Sequence, residues 1–105
     1  MLVELQAHYL DLIVEGCEEA GHACLLVKSA ANVGRIYVTA SQTNTVALMA
    51  IAFNFQDTSA TLGVEFRDGR EPFVMTVSYV EGLDRFLIAL MKAIKGNRIE
   101  HKRAA

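Results

Sequence analysis

The sequence is poor in cysteine and proline and contains no long hydrophobic run. Its two cysteines, Cys17 and Cys24, are too few for the disulfide framework of a small secreted domain and suit a reducing compartment, where both stay thiols. With one proline and 52% hydrophobic residues, the chain falls outside the low-hydrophobicity disordered class. The longest apolar run, Val46 to Phe53, is much shorter than the roughly 20 residues that span a bilayer. These shortages indicate a single compact domain that does not cross a membrane.

Neither sign of charge predominates, because 10 basic and 12 acidic side chains give a formal net charge of only −2. Residues 1–50 carry five acidic and two basic side chains, whereas residues 92–105 carry five basic and one acidic. Neither segment has the dense basic patch of a nucleic-acid-binding protein. The start of the chain, MLVELQAHYLD, lacks the positive segment followed by an apolar run that a secretory signal requires. We therefore expect a cytoplasmic protein without a nucleic-acid or membrane partner.

Motifs for nucleotide, phosphate and hydrolase chemistry are missing from the chain. The sequence contains neither a G-x-G-x-x-G nor a G-x-x-x-x-G-K-[ST] pattern, and none of its serines stands in a G-x-S-x-G elbow. We therefore predict no catalytic residue and no cofactor. A non-enzymatic role is favoured, while a small enzyme is left open.

Two clusters have side chains that bind metals in other proteins. His8 lies about one helical turn from Glu4 and from Asp11, and Cys17, His22 and Cys24 follow a C-x4-H-x-C spacing. The second cluster has no fourth ligand nearby in the sequence and matches none of the usual zinc spacings. We interpret the first cluster as a solvated helix face and the second as structural thiols, and we predict no metal site.

Two segments have the spacing of amphipathic helices. The first is predicted from Leu2 to Ala20, ending at Gly21, and the second from Gly82 to Lys95, ending at Gly96. The predicted inner face of the first helix consists of Leu2, Leu5, Tyr9, Leu12 and Gly16. That of the second consists of Leu83, Phe86, Leu87, Leu90 and Ile94. Residues 97–105 are expected to form a loosely ordered basic tail beyond a single domain of residues 1–96.

Between the helices, the apolar spacing changes to the alternation of β-strands. CLLVKS and RIYVTA are predicted to form one hairpin, and TLGVEF and PFVMTVSY another around Asp68 and Gly69, a pair that favours a tight turn. Closing the second hairpin there pairs Val64 with Phe73, Leu62 with Met75 and Phe66 with Glu71. Pro72 cannot donate a ladder hydrogen bond, which predicts either that its strand lies at a sheet edge or that Pro72 sits at a non-bonded position.

The segment TVALMAIAFNF, residues 45–55, fits either a strand or a helix. Its alanines, leucine and methionine favour helix, whereas its valine, isoleucine and phenylalanines favour strand. The strand interpretation is preferred because the turn-like residues on both sides make it the third of five strands in a meander. We therefore predict an α+β fold: an N-terminal helix, a five-stranded antiparallel sheet and a C-terminal helix, with both helices on one sheet face. In the alternative, residues 45–53 form a buried helix in an α-β-β-α-β-β-α order.

A central strand that is apolar on both sides needs a cover on both sides. Alternation directs Ala47, Met49, Ile51, Phe53 and Phe55 toward the helices. The opposite side, Val46, Leu48, Ala50 and Ala52, is then predicted to be an interface, with a second copy in a homodimer as the commonest cover and another protein as a further option.

A small apolar ligand is the competing expectation for the same sheet face. Its polar end would be held by Arg35, Tyr37, Thr39, Glu65 and Ser78. The ligand would be held by a concave sheet. A closed pocket of a few hundred Å³ between sheet and helices would favour the ligand, and a flat, tightly packed sheet would favour the interface.

Overall fold

The computed structural model describes residues 2–41, 43 and 46–104, with the backbone alone for residues 2 and 96–104. The elements are α1 (Leu2–Glu19), β1 (Ala23–Ala30), β2 (Val33–Thr39), β3 (Ala47–Phe55), β4 (Ser59–Phe66), β5 (Phe73–Ser78) and α2 (Asp84–Ala104). The strands form one sheet in the order β1-β2-β3-β4-β5, with every neighbouring pair antiparallel. This arrangement confirms the predicted α+β class and the meander.

Residues 47–55 form the central strand, so the helix alternative for residues 45–53 is wrong. β3 is hydrogen-bonded to β2 on one side and to β4 on the other. A ladder on both sides outweighs the helix propensity of its alanines, because strand formation depends on neighbours more than on intrinsic preference. Residue 45 of the segment lies outside the described part of the chain.

The hairpin between β4 and β5 has the predicted register. Val64 pairs with Phe73 and Leu62 with Met75, and Gly69 in the turn has a positive φ of 86°. The ladder ends at Val64 and Phe73, one pair short of the prediction, because Pro72 has no N–H to continue it. β5 lies at the edge of the sheet, as the proline predicts.

Both helices pack on one face of the sheet, and the apolar core lies between them and the strands. The core comprises Tyr9, Leu10, Ile13 and Cys17 of α1, the inward side chains Ile36, Val38, Met49, Ile51, Phe53, Phe55, Ala60, Leu62, Val64 and Val77 of the sheet, and Leu83, Phe86, Leu90 and Ile94 at α2. The inward set of β3 alternates as predicted from Met49 to Phe55.

The buried stripe of α1 is rotated from the predicted one. Tyr9 is buried as expected, but Gln6 and Ile13 lie at the centre of the stripe, while Leu5 and Leu12 are only partly buried. The predicted face was chosen only because Leu5, Tyr9 and Leu12 recur every three or four residues. The packing instead buries the face that meets the sheet, where even Gln6 is only 7% exposed.

The two helices end differently from each other. After α1, the N–H of Gly21 donates to the Glu18 carbonyl at 2.9 Å and the N–H of His22 to the Cys17 carbonyl at 3.0 Å, a Schellman motif with Gly21 at φ 91°. The predicted end of α2 at Gly96 is wrong, because its helical backbone continues to Ala104. One internal glycine costs a helix only about 1 kcal/mol, and the residues that follow include good helix formers.

Candidate functional site on the open sheet face

The sheet face opposite the helices carries the outward side chains of all five strands and is called the open face below. Its members follow from alternation, because the residues on either side of them along each strand point into the core. Its central part consists of Leu25, Val27, Arg35, Tyr37, Ala50, Ala52, Gly63, Glu65 and Val74.

The open face is organised in rows that cross the strands. One row runs Val27, Arg35, Ala52, Gly63, Val74, and the next runs Leu25, Tyr37, Ala50, Glu65. In both rows the smallest side chains stand in the middle and larger ones stand toward the edges. The face is therefore concave.

A hollow of about 670 Å³ occupies this concavity and is lined by Ala52, Gly63, Arg35, Tyr37, Glu65 and Val74, among others. Its margins include exposed apolar side chains, since Val27 is 46% and Val74 72% exposed. A shallower hollow of about 250 Å³ adjoins it near Ala47, Ala50 and Arg67. Together they make a largely apolar surface with a few polar groups.

Three of the five predicted ligand residues lie together in the main hollow: Arg35, Tyr37 and Glu65. The other two, Thr39 and Ser78, do not line the hollow, and their hydroxyl groups have other hydrogen-bond partners. The Thr39 hydroxyl donates to the Ser41 carbonyl at 3.0 Å, and the Ser78 hydroxyl accepts from the N–H of Val80 at 3.3 Å. Ser78 pairs with Ser59 at the far end of β4, whereas Thr39 ends β2.

Two of the four predicted interface residues lie at the centre of the open face, and the other two lie near the start of β3. Ala50 and Ala52 lie at the centre of the open face, opposite Tyr37 and Arg35 respectively. Val46 precedes β3 and is exposed, and Leu48 is half-buried beside a register shift.

That register shift is a β-bulge in β3. Val38 pairs with Met49 and Thr39 with Ala47, which leaves Leu48 as an extra residue between the two pairs. The extra residue breaks the alternation. Ala47, predicted to face the helices, instead lines the shallower hollow together with Ala50 and Glu65.

The site also contains residues outside the predicted ligand and interface sets. Val27 of β1, with Gly63 and Val74 of the second hairpin, lines the main hollow, and Leu25 lies on the same face of β1. The hairpin register already places Gly63 and Val74 on this face, and alternation in CLLVKS is the signal for the other two.

The layer between the sheet and the helices is packed with side chains. Tyr9 of α1 lies against Phe55 of β3 and against Tyr79, with ring centroids 6.2 Å and 5.9 Å apart. Phe86 of α2 lies 6.5 Å from Phe73. A further hollow of about 670 Å³ opens at the end of the sheet beside Asn32, whose side-chain amide already donates to the Phe55 carbonyl at 2.7 Å.

The thiols of Cys17 and Cys24 contact each other where α1 joins β1. The hydrogen bond between them, together with burial, raises the pKa of Cys17, while the same bond lowers the pKa of Cys24 against the effect of its own burial. The Nδ1–H of His22 donates to the Thr39 carbonyl at 3.1 Å, which fixes one ring nitrogen as a donor. Cys24 is therefore the more acidic thiol of the pair, and both cysteines are free.

Neither metal cluster considered from the sequence comes together as a ligand set. Over residues 2–41, 43 and 46–104, the structure contains no group of three His, Cys, Asp or Glu side chains that could hold a metal ion. Glu4, His8 and Asp11 lie exposed along α1. Within the same described residues, neither helix is long and apolar enough to cross a membrane.

The open face is therefore the surface on which most of the predicted site residues meet. Comparison of the chain with protein-family models, with curated proteins and with solved structures found no match.

Proposed function

We propose that this protein is a small non-enzymatic interaction module that forms a homodimer through its open face. The observation that carries the proposal is the concave centre of small side chains, Ala50, Ala52 and Gly63, bordered by exposed Leu25 and Val74. Contiguous exposed apolar surface of this kind is typical of protein interfaces. The free thiols suit work in a reducing compartment such as the cytoplasm.

The size of the open face is that of a small interface. Four spacings between strands of about 4.8 Å, and strands about 25 Å long, give a projected area of roughly 500 Å². Side-chain relief adds to the accessible area, and a standard interface removes about 800 Å² from each partner. The flat projection of the open face is therefore smaller than a standard interface before side-chain relief is counted.

Small central side chains also favour close approach of two sheets. Sheets that pack face to face lie about 10 Å apart with interdigitated side chains. In a two-fold dimer centred on β3 the small side chains of the two copies face each other, and larger side chains toward the edges, such as Val74, meet the opposite edge of the other copy. At about 25 cal/mol per Å² of apolar area removed from water, each few hundred Å² contributes several kcal/mol to association.

A second candidate function is the binding of a small apolar ligand in the main hollow. Its support is that Arg35, Tyr37 and Glu65 line one hollow of about 670 Å³, a volume within the usual range of ligand sites. The layer between sheet and helices is packed, which counts against a closed pocket there, while the concave open face suits the ligand interpretation. The exposed apolar side chains at its edges are the reason for preferring the homodimer.

Sedimentation velocity of the wild-type protein and of Ala50→Glu tests the proposal. We expect a wild-type dimer at tens of micromolar and a folded monomer for the variant, because a two-fold interface centred on β3 brings the two new carboxylates together. The matched control is Ile88→Glu, which introduces the same charge at a 56% exposed position on α2 and should leave the dimer intact.

A wild-type monomer at these concentrations would contradict the proposal. Native mass spectrometry of the same sample would then look for a retained small molecule, the outcome that the second candidate predicts. Equal dissociation by Ala50→Glu and Ile88→Glu would place the interface away from the open face.

A further inference from the structure

We infer that the two copies are related by a two-fold axis running along β3, so that Arg35 of each copy pairs with Glu65 of the partner subunit. The inference rests on the proposed homodimer and specifies its geometry. It follows from the positions and charges of two residues on the open face.

Arg35 and Glu65 flank β3 on opposite sides. Arg35 of β2 stands opposite Ala52, and Glu65 of β4 stands opposite Ala50. The two positions are therefore two strand spacings apart across the sheet, about 10 Å, and two residues apart along it, about 7 Å. They are placed diagonally about the centre of the open face.

Both side chains are exposed and available for a partner. Within the described part of the chain, neither takes part in an ion pair; the salt bridge found there joins Arg70 to Asp68 at 3.0 Å, in the β4–β5 turn. Both Arg35 and Glu65 line the main hollow. A face-to-face dimer therefore encloses one positive and one negative group from each copy.

The direction of the two-fold axis decides which charges meet. An axis along β3 keeps positions along the strands and exchanges the two sides, so β2 of one copy lies over β4 of the other. Arg35 then lies within about 7 Å, measured along the strands, of Glu65 of the partner subunit. Both side chains are long enough to close that offset between sheets.

An axis across the strands gives the opposite result. It lays β2 over β2 and β4 over β4. Each Arg35 then approaches Arg35 of the partner subunit, and each Glu65 approaches Glu65 of the partner subunit. Like charges facing each other at an interface disfavour that arrangement. Charge complementarity therefore selects the axis along β3, an aligned packing of the two sheets.

Charge reversal followed by mixing tests the inference. We expect Arg35→Glu and Glu65→Arg each to weaken the homodimer by at least about tenfold, because two attractive pairs become two repulsive ones. The double variant should regain most of the wild-type affinity. A mixture of the two single variants should form heterodimers in excess of the statistical share, measured by native mass spectrometry, since the variants differ in mass.

Arg85→Glu is the matched control, an equal charge reversal at an exposed position on α2, and it should not change the affinity. Two outcomes would overturn the inferred axis while leaving the homodimer standing. One is a dimer that Ala50→Glu disrupts but that neither charge reversal affects. The other is preferential pairing of Arg35→Glu with the wild type, which the axis across the strands predicts. A wild-type monomer would instead remove the proposed function itself.

Discussion

Gly34 lies where β1, β2 and β3 come closest together. A Cβ atom added there would collide with the Val27 carbonyl oxygen, stand 2.9 Å from the Cα of Lys28 and 2.8 Å from the Cζ of Phe53. Two of these neighbours are backbone atoms of the adjacent strand, which cannot move without breaking the ladder. Gly34 therefore allows β1 to pair closely beside the Phe53 ring.

Gly34→Ala is expected to lower the free energy of unfolding by about 3 kcal/mol, the upper part of the range for overpacking. The control is Gly63→Ala, also a strand glycine, whose Cβ would stand 3.5 Å from the Cγ2 of Val74, an ordinary contact. That change should alter stability by less than about 1 kcal/mol. Urea unfolding of both variants measures the difference, and equal losses would contradict the account of Gly34.

The C-terminal end of α1 carries charge of the sign that the helix dipole disfavours. Its last turn contains no basic residue and carries exposed Glu18 and Glu19, although the helix dipole favours positive charge there. The negative charge of Glu18 also raises the pKa of Cys17 and of Cys24, although in each case less than the principal causes. The helix nevertheless ends cleanly, because the Schellman motif at Gly21 satisfies its last carbonyls.

Glu19→Lys should therefore stabilise the protein by about 0.5 kcal/mol at low ionic strength. Salt should reduce the gain, because the interaction is between exposed charges. Glu15→Lys makes the same charge change at an exposed position one turn earlier and should give a smaller gain. Urea unfolding at low and high salt compares them, and a gain that salt leaves unchanged would argue against a dipole effect.

The molecule as a whole is a two-layer fold of one sheet and two helices. Helices cover the inner face of the sheet, while over residues 2–41, 43 and 46–104 no helix or strand covers the open face. If a second copy covers it, dissociation and unfolding are linked. Stability then depends on protein concentration.

The melting temperature should accordingly rise by about 2–4 °C for each tenfold increase in wild-type concentration, since a dimer gains about 0.7 kcal/mol per chain. Ala50→Glu should melt at one temperature at all concentrations. Calorimetry over a hundredfold concentration range makes the comparison. A wild-type melting temperature that does not change with concentration would count against the homodimer.

The element order, the edge position of β5 and the register of β4 and β5 could be predicted from the sequence. Each depends on a local signal: alternation along a strand, Pro72, and the Asp68–Gly69 turn. The open face was also predictable in part, because alternation from Met49 to Phe55 already assigns Ala50 and Ala52 to it. These features arise from contacts between neighbours in the chain, so the sequence by itself determined them.

Other features were decided only by tertiary structure. The bulge opposite Thr39 moves Ala47 to the open face, and the sheet surface buries Gln6 and Ile13 of α1 rather than Leu5 and Leu12. The hollow likewise exists because small side chains from β3 and β4 meet across a ladder. Each outcome depends on which distant residues come into contact, and pairing and packing between strands and helices select those contacts when the whole chain folds.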